Sequence, residues 1–450
     1  MDLKGKKVLV FGAGKSGIGA ARLLINEGAL PFIYDQNKNR DAAELLAKFD
    51  KGQDVQLILG ELPKSLLNSL ELVILSPGVP TDLPLVNQIR SLSIPIWGEV
   101  ELAYVAGRGD VLGITGTNGK TTTTALLGEI MEQYNSETFV VGNIGNAYTE
   151  AALKTTDHSV VVAELSSFQL ETIRTLRPKV SAILNISPDH LDRHHTMESY
   201  IEAKENIARN QTAEDTCVLN YEDAVLRKFG EKTKASVLYF SSSRKLNKGI
   251  YLENGTIIYK DNKETQICHI DELKLLGTHN YENIMAAAAI AAAYGVPIEI
   301  IRRAVIGFMG VVHRIEYVGE FHGVKYYNDS KGTNPDAAIK GIQAMRRPTY
   351  LIGGGYDKNA SYSEWIDSFD GKVKKLVLLG ATREAIAKEA KEKGFTDIAM
   401  TDTLEEAVGL CSHLAVPGDA VLLSPACASW GMFENYEERG DKFKELVNSL

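Results

Sequence analysis

The sequence predicts an α/β protein with mainly parallel sheets, divided into three domains. Short apolar runs alternate with amphipathic stretches along almost the whole chain, a pattern typical of βαβ units. The chain has 450 residues, and one domain usually takes roughly 100–200 residues. The hydrophobic fraction of 44% and the charged fraction of 24% are those of an ordinary globular protein.

The predicted strands are short runs rich in apolar and β-branched residues, and the predicted helices follow glycine-containing turns. In the first third they are strands 7–11, 32–35 and 72–75 and a helix over 16–27. In the second third they are strands 111–115, 160–164 and 181–186, a helix over 120–133 and an antiparallel region over 236–271. In the last third they are strands 350–353, 376–380 and 420–424.

Two breaks in this pattern predict the domain boundaries. The first lies near Gly98, where the segment I-P-I-W-G ends the first unit. The second lies between an alanine-rich predicted helix and a new strand pattern near His313. The predicted domains are therefore residues 1–98, 99–311 and 312–450.

Charge and cysteine content limit the possible functions. The net charge of −9 and the pI near 5.6 argue against broad attraction to nucleic acid or anionic lipid. The four cysteines are scattered without a C-x-x-C pair, which favours neither a zinc ribbon nor a redox motif. The N-terminus lacks a signal-peptide pattern, and the longest apolar stretch, residues 284–296, is too short to span a bilayer. We expect a cytoplasmic protein that binds neither nucleic acid nor membrane.

A first glycine-rich loop, G-A-G-K-S-G over residues 12–17, follows a predicted strand and opens a helix, and Asp35 ends the next strand. This is the dinucleotide-binding fingerprint, in which glycines allow close approach to phosphate and an acid binds ribose hydroxyls. It is compatible with NAD(P), with a nucleotide or nucleotide sugar, or with a purely structural turn. A second turn over residues 76–80 also ends a strand, where ligands of open α/β sheets bind.

A second glycine-rich loop, G-I-T-G-T-N-G-K-T-T over residues 113–122, lies between a predicted strand and a helix. It departs from G-x-x-x-x-G-K-[ST] because Ile114 stands where the first glycine is usual. Its glycines let backbone amides converge on phosphate, while Lys120 adds a positive charge and Thr121 can bind magnesium. The loop predicts a site for ATP or GTP with magnesium, which disfavours a simple dehydrogenase.

Polar residues at the ends of later strands extend this prediction. Glu164 ends an apolar strand and is either a magnesium ligand or a cap of the following helix. His190, the first histidine after the next strand, is the better ligand candidate, whereas His194 and His195 are expected in a solvated loop. Lys204, on a helical stretch, has the pattern of an ordinary surface lysine.

Taken together and in this order, seven motifs resemble the Mur ligases over essentially the whole chain. They are residues 115–122 (T-G-T-N-G-K-T-T), 164–171 (E-L-S-S-F-Q-L-E), 189–192 (D-H-L-D), 277–283 (G-T-H-N-Y-E-N), 313–314 (H-R), 328–334 (N-D-S-K-G-T-N) and 423–429 (L-S-P-A-C-A-S). The phosphate loop, H-N-x-x-N and H-R are shared with the wider superfamily, including folate polyglutamate synthetases. The motifs at 328–334 and 423–429, with G-x-G-x-S-G at the N-terminus, are similar to the branch that adds D-glutamate.

The resemblance implies an N-terminal Rossmann-like domain for a UDP-sugar, a central P-loop ATPase-like domain with a mainly parallel sheet, and a C-terminal Rossmann-like domain for the amino acid. It implies ATP-dependent addition of D-glutamate to UDP-N-acetylmuramoyl-L-alanine through an acyl phosphate, giving ADP and phosphate. This is a step of peptidoglycan precursor synthesis, and we expect a monomer to carry it out.

The resemblance also implies a role for individual residues. ATP is expected to bind Gly116, Thr117, Asn118, Gly119, Lys120, Thr121, Thr122, Asn283, Arg314 and Asp329. Two magnesium ions are expected at Thr121, Glu164, His190 and Lys204, and Lys204 is expected to be carbamylated. The expected catalytic residues are Lys120, His190 and Lys204. The UDP end is expected to contact Ser16, Asp35, Gln36, Gly78 and Asn143, although Gln36 stands where the family usually has a hydroxyl residue. D-Glutamate is expected to contact Thr333, Lys358, Ser429 and Tyr436, the last at a position often held by phenylalanine.

Three alternatives make different predictions. A sister ligase would add L-alanine, L-lysine or diaminopimelate, and phosphate release with each amino acid distinguishes it. An NAD(P)-dependent oxidoreductase would use residues 12–17 and Asp35 but leaves the phosphate loop without a role. A nucleotide-dependent switch would bind ATP without turnover stimulated by an amino acid.

Overall fold

The computed structural model describes residues 2–50, 53, 55–142, 146–357 and 360–450. The described strands form three sheets, and the chain divides into two compact units. The first unit comprises Met1–Ile267 with Glu282–Ala304, and the second comprises Cys268–Tyr281 with Val305–Leu450. The predicted class, α/β with three domains and mainly parallel sheets, is confirmed; the boundaries near residues 98 and 311 stay predictions.

The first sheet has the strand order β3-β2-β1-β4-β5, and all of its neighbouring strands are parallel. Its elements are β1 (Lys7–Phe11), α1 (Lys15–Asn26), β2 (Leu30–Asp35), α2 (Ala42–Leu46), β3 (Gln56–Leu59), α3 (Lys64–Leu67), β4 (Leu72–Leu75), α4 (Pro84–Ser91), β5 (Ile96–Gly98) and α5 (Glu99–Ala106). Because the order reverses on the two sides of β1, a crevice forms at the carboxyl ends of β1 and β4. Both turns predicted to bind ligand start at those ends.

The second sheet has the order β14-β13-β12-β11-β10-β9-β6-β8-β7. Its strands are β6 (Asp110–Thr115), β7 (Thr138–Gly142), β8 (Val160–Glu164), β9 (Val180–Ile183), β10 (Thr216–Asn220), β11 (Ser236–Ser241), β12 (Gly249–Glu253), β13 (Thr256–Lys260) and β14 (Glu264–His269). The accompanying helices are α6 (Lys120–Glu132), α7 (Tyr148–Ala152), α8 (Ser167–Leu170), α9 (Leu191–His194), α10 (Met197–Glu205), α11 (Ala224–Gly230), α12 (Thr278–Tyr294) and α13 (Ile298–Gly307), with 3-10 turns at Asn206–Ala208 and Ile270–Glu272. Since β8, β6 and β9 are neighbours, the phosphate loop, Glu164 and the segment carrying His190 start at one edge of the sheet.

The antiparallel region predicted over residues 236–271 is only partly correct. The hairpin of β12 and β13 is antiparallel, but β11 pairs in parallel with both β10 and β12. The helix α11 lies between β10 and β11, and a strand–helix–strand connection returns the chain in the same direction. That helix explains the parallel pairing of β10 and β11.

The third sheet has the order β15-β16-β20-β17-β18-β19. Its elements are β15 (Glu316–Phe321), β16 (Val324–Asn328), α14 (Pro335–Ala344), β17 (Thr349–Gly353), α15 (Ser363–Asp367), β18 (Val373–Leu378), α16 (Arg383–Glu392), β19 (Ile398–Met400), α17 (Leu404–Leu414), β20 (Ala420–Leu423) and α18 (Tyr436–Asn448). β15 and β16 form an antiparallel hairpin, and the other pairs are parallel. The carboxyl ends of β16, β20 and β17 therefore meet at one edge.

Burial on both faces explains why the central strands are continuous apolar runs. Every residue of β4, β8, β17 and β20 is buried. All four cysteines are buried free thiols, and burial raises the pKa of Cys217 to about 12. No helix among the described residues is long and apolar enough to cross a membrane.

Candidate functional site

The phosphate loop joins the end of β6 to the start of α6. Gly119, which precedes α6, has a φ of 85°, a left-handed conformation that favours glycine. The ammonium of Lys120 donates hydrogen bonds to the carbonyl oxygens of Gly116 and Thr117, both at 2.8 Å. The first turn of α6 has no side-chain cap, so its amide groups are available for an anion. The loop has the features of a phosphate site.

Lys204 reaches the same loop from α10. Its ammonium donates to the carbonyl oxygen of Gly116 at 2.7 Å and lies 4.6 Å from the centre of the Tyr200 ring. The residue is only 2% exposed, so the surface position expected from the sequence is wrong. Burial, with the nearby charge of Lys120, lowers the pKa of Lys204 to about 7. A large fraction of this amine is therefore neutral near pH 7.

Thr121 and Glu164 provide oxygen atoms suited to magnesium. The Thr121 hydroxyl donates to Oε1 of the buried Glu164 at 3.5 Å. Neighbouring oxygens of an octahedral magnesium ion with bonds of about 2.1 Å lie roughly 3 Å apart, so these two atoms fit one ion after a small adjustment. Among the described residues, no group of three or more His, Cys, Asp or Glu side chains could hold a metal. The remaining positions around such an ion are left for phosphate oxygens, water or other side chains.

The loop after β9 is tied to the phosphate loop. Asn185 accepts from the Asn118 amide at 2.8 Å and donates to the Asn118 carbonyl at 3.1 Å. The Thr117 hydroxyl contacts Ser187 and lies 3.0 Å from the Tyr200 hydroxyl. These bonds hold the segment that leads to His190 against the phosphate loop.

His190 has a left-handed backbone, with φ 51°, and a half-exposed side chain. Its ring centre lies 5.0 Å from that of Phe168, and Nε2 lies 3.5 Å from a carboxylate oxygen of Asp189. An imidazole that is exposed on one side and packed on the other remains accessible to a ligand.

His194 is not in a solvated loop, contrary to the expectation from the sequence, whereas the side chain of His195 is 66% exposed. Nε2 of the buried His194 lies 2.9 Å from the Ser167 hydroxyl, and Nδ1 lies 3.2 Å from Glu171. Its ring also stacks on Phe168 at 5.4 Å. This network has no local signal in the sequence, because the partner carboxylate lies 23 residues earlier in the chain.

Glu171 extends the network to the first sheet. Its carboxylate accepts from Arg193 at 3.2 Å, and Arg193 also donates to the carbonyl oxygen of Val79 at 3.0 Å. The Thr81 hydroxyl donates to the same carboxylate at 3.3 Å. The turn that contains Gly78 is therefore bonded to the loop that contains His190.

Asn283 also lies at the phosphate loop. A Cβ atom added at Gly119 would overlap the side-chain oxygen of Asn283, which is buried on α12. This places a carboxamide beside the loop, as expected for a residue that contacts the nucleotide.

At the first sheet, the predicted ligand residues surround the first glycine loop. Asp35 accepts from the Ala13 amide at 3.1 Å and lies 3.3 Å from Arg40. A Cβ atom at Gly17 would overlap the Gly12 carbonyl oxygen, so this glycine permits the close packing of α1 on β1. Ser16 lies in the first turn of α1 and is partly exposed, whereas Gly78, in the turn after β4, and Gln36, after β2, are exposed. Asn143 lies outside the described residues.

In the second unit, Asp329 follows β16 and is buried. It accepts from the Ser424 hydroxyl at 2.7 Å and from the Ile315 amide at 3.2 Å. Burial raises its pKa to about 7. Arg314 is exposed and directly precedes Ile315. The bond between Ile315 and Asp329 therefore holds Arg314 and Asp329, the residues expected to bind phosphate and ribose, at the same edge of the sheet.

The predicted amino-acid ligands lie at the same edge. Thr333 follows Asp329, Ser429 is buried after β20, and Tyr436 begins α18. Lys358 lies outside the described residues. The sequence analysis missed Arg439, which is buried and donates to the hydroxyl and carbonyl oxygens of Ser330 at 2.9 and 2.8 Å. It anchors the start of α18, which carries Tyr436.

Models of three domain families match the chain. A "Mur ligase MurD-like, N-terminal domain" matches residues 6–98, a "Mur ligase middle domain" matches residues 114–291, and a "Mur ligase, glutamate ligase domain" matches residues 313–427.

Full-length relatives share the name of one enzyme. The UDP-N-acetylmuramoylalanine–D-glutamate ligase of Lachnoclostridium phytofermentans is 57% identical, with 100% of this chain and 99% of the relative covered. The enzyme of that name from Clostridioides difficile is 48% identical, with both chains fully covered. Among solved structures, UDP-N-acetylmuramate-alanine ligase MurC from Thermotoga maritima aligns with a TM-score of 0.58 and 19% identity, covering 99% of each chain. This last match bears on the fold.

Proposed function

The chain belongs to the Mur ligase family, and from that premise we propose that it uses ATP to join D-glutamate to UDP-N-acetylmuramoyl-L-alanine. The reaction makes a peptidoglycan precursor and releases ADP and phosphate. The observation that carries this proposal is full-length identity of 45–57% to relatives named for this reaction. The geometry of the site supports this proposal. Lys120 and Lys204 both contact the phosphate loop, and Thr121 and Glu164 beside it carry oxygen atoms suited to magnesium.

The chemistry has two steps. A carboxylate oxygen of the UDP-sugar substrate attacks the γ-phosphorus of ATP, the bond to ADP breaks, and an acyl phosphate forms. The neutral amine of D-glutamate then attacks the acyl carbon, loses a proton and expels phosphate. The first step brings two anions together, so positive charge at the site is essential.

The residues of the phosphate loop supply much of that charge. Lys120 and the amides of residues 116–122 bind the phosphates, and Thr121 and Glu164 hold a magnesium ion. When bound, magnesium neutralises charge on the phosphates. Asn283 binds adenine, while Arg314 and Asp329 bind phosphate and ribose. Since Lys120 already hydrogen bonds inside the loop, its ammonium needs little reorganisation to meet a phosphate.

Lys204 carries a carbamate in the active enzyme. Its neutral amine adds to carbon dioxide and loses a proton, which gives a carbamate anion that, together with His190, would hold a second magnesium ion. The burial of Lys204 and its contact with the phosphate loop support this proposal, because an ammonium there would repel magnesium. His190 is the candidate base for the D-glutamate amine.

The two outer domains bind the remaining substrates. Ser16, Asp35, Gln36, Gly78 and Asn143 bind the UDP end, which accounts for the first glycine loop without a nicotinamide. Thr333, Lys358, Ser429 and Tyr436 bind D-glutamate, with Lys358 paired to a carboxylate.

The decisive experiment measures phosphate release from ATP in the presence of UDP-N-acetylmuramoyl-L-alanine. D-Glutamate should stimulate release at least 100-fold more than L-glutamate, L-lysine, L-alanine or diaminopimelate. Equal stimulation by L-lysine, L-alanine or diaminopimelate would assign the chain to a sister ligase. ATP binding without stimulation by any of them would support a nucleotide-dependent switch.

A further inference from the structure

The second unit contains a cavity of about 200 Å³ that none of the proposed substrates uses. It lies at the amino ends of β16 and β20, where Lys325 and Ala420 are paired in the sheet. Tyr327, Met345 and Leu276 form part of its wall. Since one water takes roughly 30 Å³ in the liquid, the cavity has room for a ligand of several heavy atoms.

The wall of the cavity is positively charged. Three cationic side chains, those of Lys325, Arg346 and Arg347, line the cavity, whereas Asp271 contributes the one carboxylate among its described lining residues. A fourth cation, Lys274, lies 5.3 Å from the centre of the Tyr317 ring, and Lys325 lies 6.0 Å from the same ring. In a chain of net charge −9, this is a local concentration of positive charge that attracts small anions.

The cations are only partly neutralised by the protein. Arg346 contacts Asp271 at 3.4 Å and the Tyr281 hydroxyl, and Arg347 contacts Glu320 at 3.4 Å. Among the described residues, the Lys325 ammonium makes neither a hydrogen bond nor an ion pair. Burial, together with the charges of Arg347 and Lys274, lowers the pKa of Lys325 despite the opposing effect of Glu320. A bound anion would relieve this repulsion.

We propose that this cavity binds a compact phosphate-type oxyanion, such as phosphate or pyrophosphate, between Lys325 and the two arginines. Guanidinium groups present paired N–H donors that match phosphate oxygens, and lysine adds a point charge. The cavity is distinct from the candidate ATP and amino-acid residues of this unit. Lys325 and Asp329 are four residues apart on an extended strand, a separation of roughly 13 Å at about 3.3 Å per residue.

Calorimetry with pyrophosphate tests the proposal in the full-length Lys120→Ala variant, in which the phosphate loop has lost its ammonium. Pyrophosphate should still bind this variant, and adding Lys325→Met should weaken binding at least tenfold. Methionine keeps the length of the apolar stem, and no ion pair is lost, so the fold should be retained. Lys388→Met is the matched control, because Lys388 on α16 has a side chain that is 79% exposed.

Arg347→Gln provides a second variant should Lys325→Met fail to fold, and it should weaken pyrophosphate binding similarly. Parallel titrations with phosphate and with D-glutamate distinguish phosphate-type ligands from carboxylates. Binding by D-glutamate alone would overturn the proposal. So would an absence of pyrophosphate binding in Lys120→Ala, or binding that neither cavity substitution changes. Ligase activity of Lys325→Met should equal that of the wild type, which separates this test from that of the proposed reaction.

Discussion

Lys120 and Lys204 donate hydrogen bonds to one and the same oxygen atom, the carbonyl oxygen of Gly116, at 2.8 and 2.7 Å. Two ammonium groups this close repel each other, and the buried one, Lys204, is the one whose pKa falls to about 7. The arrangement places a lysine that we propose binds phosphate beside an amine whose pKa is lowered by burial and by the charge of Lys120. Such an amine is suited to reaction with carbon dioxide.

The first prediction concerns Lys204. With ¹³C-labelled bicarbonate, the wild-type protein should show a carbamate signal by NMR, because the amine is buried and its lowered pKa of about 7 leaves a large fraction of it neutral near pH 7. Lys204→Arg should abolish the signal and lower kcat at least 100-fold, since a guanidinium cannot supply a metal-binding anion. Lys154→Arg, at an exposed lysine, should retain both signal and activity. A signal that survives Lys204→Arg would contradict the assignment.

The second prediction concerns Lys120. Lys120→Ala should reduce ADP release by about 10²–10³-fold, the usual cost of removing one group that stabilises charge in the transition state. The measurement is the rate of ADP formation with all three substrates at saturation. Lys154→Ala should leave the rate unchanged. Full activity of Lys120→Ala would refute the role given to the phosphate loop.

The third prediction concerns Gly119. Alanine there must adopt a left-handed backbone and would overlap the Asn283 carboxamide, so Gly119→Ala should weaken ATP binding at least tenfold in a fluorescent-nucleotide assay. Gly409→Ala is the control, because its added Cβ meets open space on α17. That control should stabilise the protein by up to about 1 kcal/mol. Equal ATP affinity of Gly119→Ala and the wild type would exclude a tight fit at this loop.

The fourth prediction concerns Glu99, the first residue of α5. Burial raises its pKa from 4.5 to about 7, and Oε1 accepts from Gln169 at 2.9 Å. The folded state thus holds a proton that the unfolded state releases, so this contribution to stability is complete below about pH 4.5 and is lost as the pH rises to about 7.

Glu99→Gln removes this titration while keeping an acceptor for Gln169. The free energy of unfolding of the variant, relative to the wild type, should therefore rise on the order of 2 kcal/mol between pH 5 and 7, at roughly 1.4 kcal/mol per pH unit for one proton. Denaturant unfolding of both proteins at the two pH values measures this difference in the free energy of unfolding. A difference between variant and wild type that does not change with pH would show that Glu99 is already ionised in the folded protein.

Much of the fold could be predicted because its signals are local. The bounds predicted for β1, β4 and β8 match the structure residue for residue, since each strand is an apolar run that ends at a glycine, serine or acid. The phosphate loop was equally clear, because its glycines and Lys120 are contiguous. The direction of β11 was missed because α11, the short helix that joins β10 to β11, was not predicted.

The missed site features have non-local causes. Lys204 had one local signal, since Tyr200, Ala203 and Lys204 share the i, i+3, i+4 spacing of a buried helix face. Without knowledge of the acceptor, the Gly116 carbonyl, a buried lysine is improbable a priori. His194 depends in the same way on Glu171, which only the folded chain brings into contact.

The burial of the four cysteines has a practical consequence for attaching probes to this protein. Alkylating reagents attack the thiolate, and burial raises the pKa of Cys217, Cys411 and Cys427 and shields all four sulfur atoms. Cysteines introduced at chosen surface positions should therefore react with maleimide dyes far faster than the natural ones. A donor and an acceptor fluorophore could report distances during turnover in a protein that keeps every native side chain in its interior.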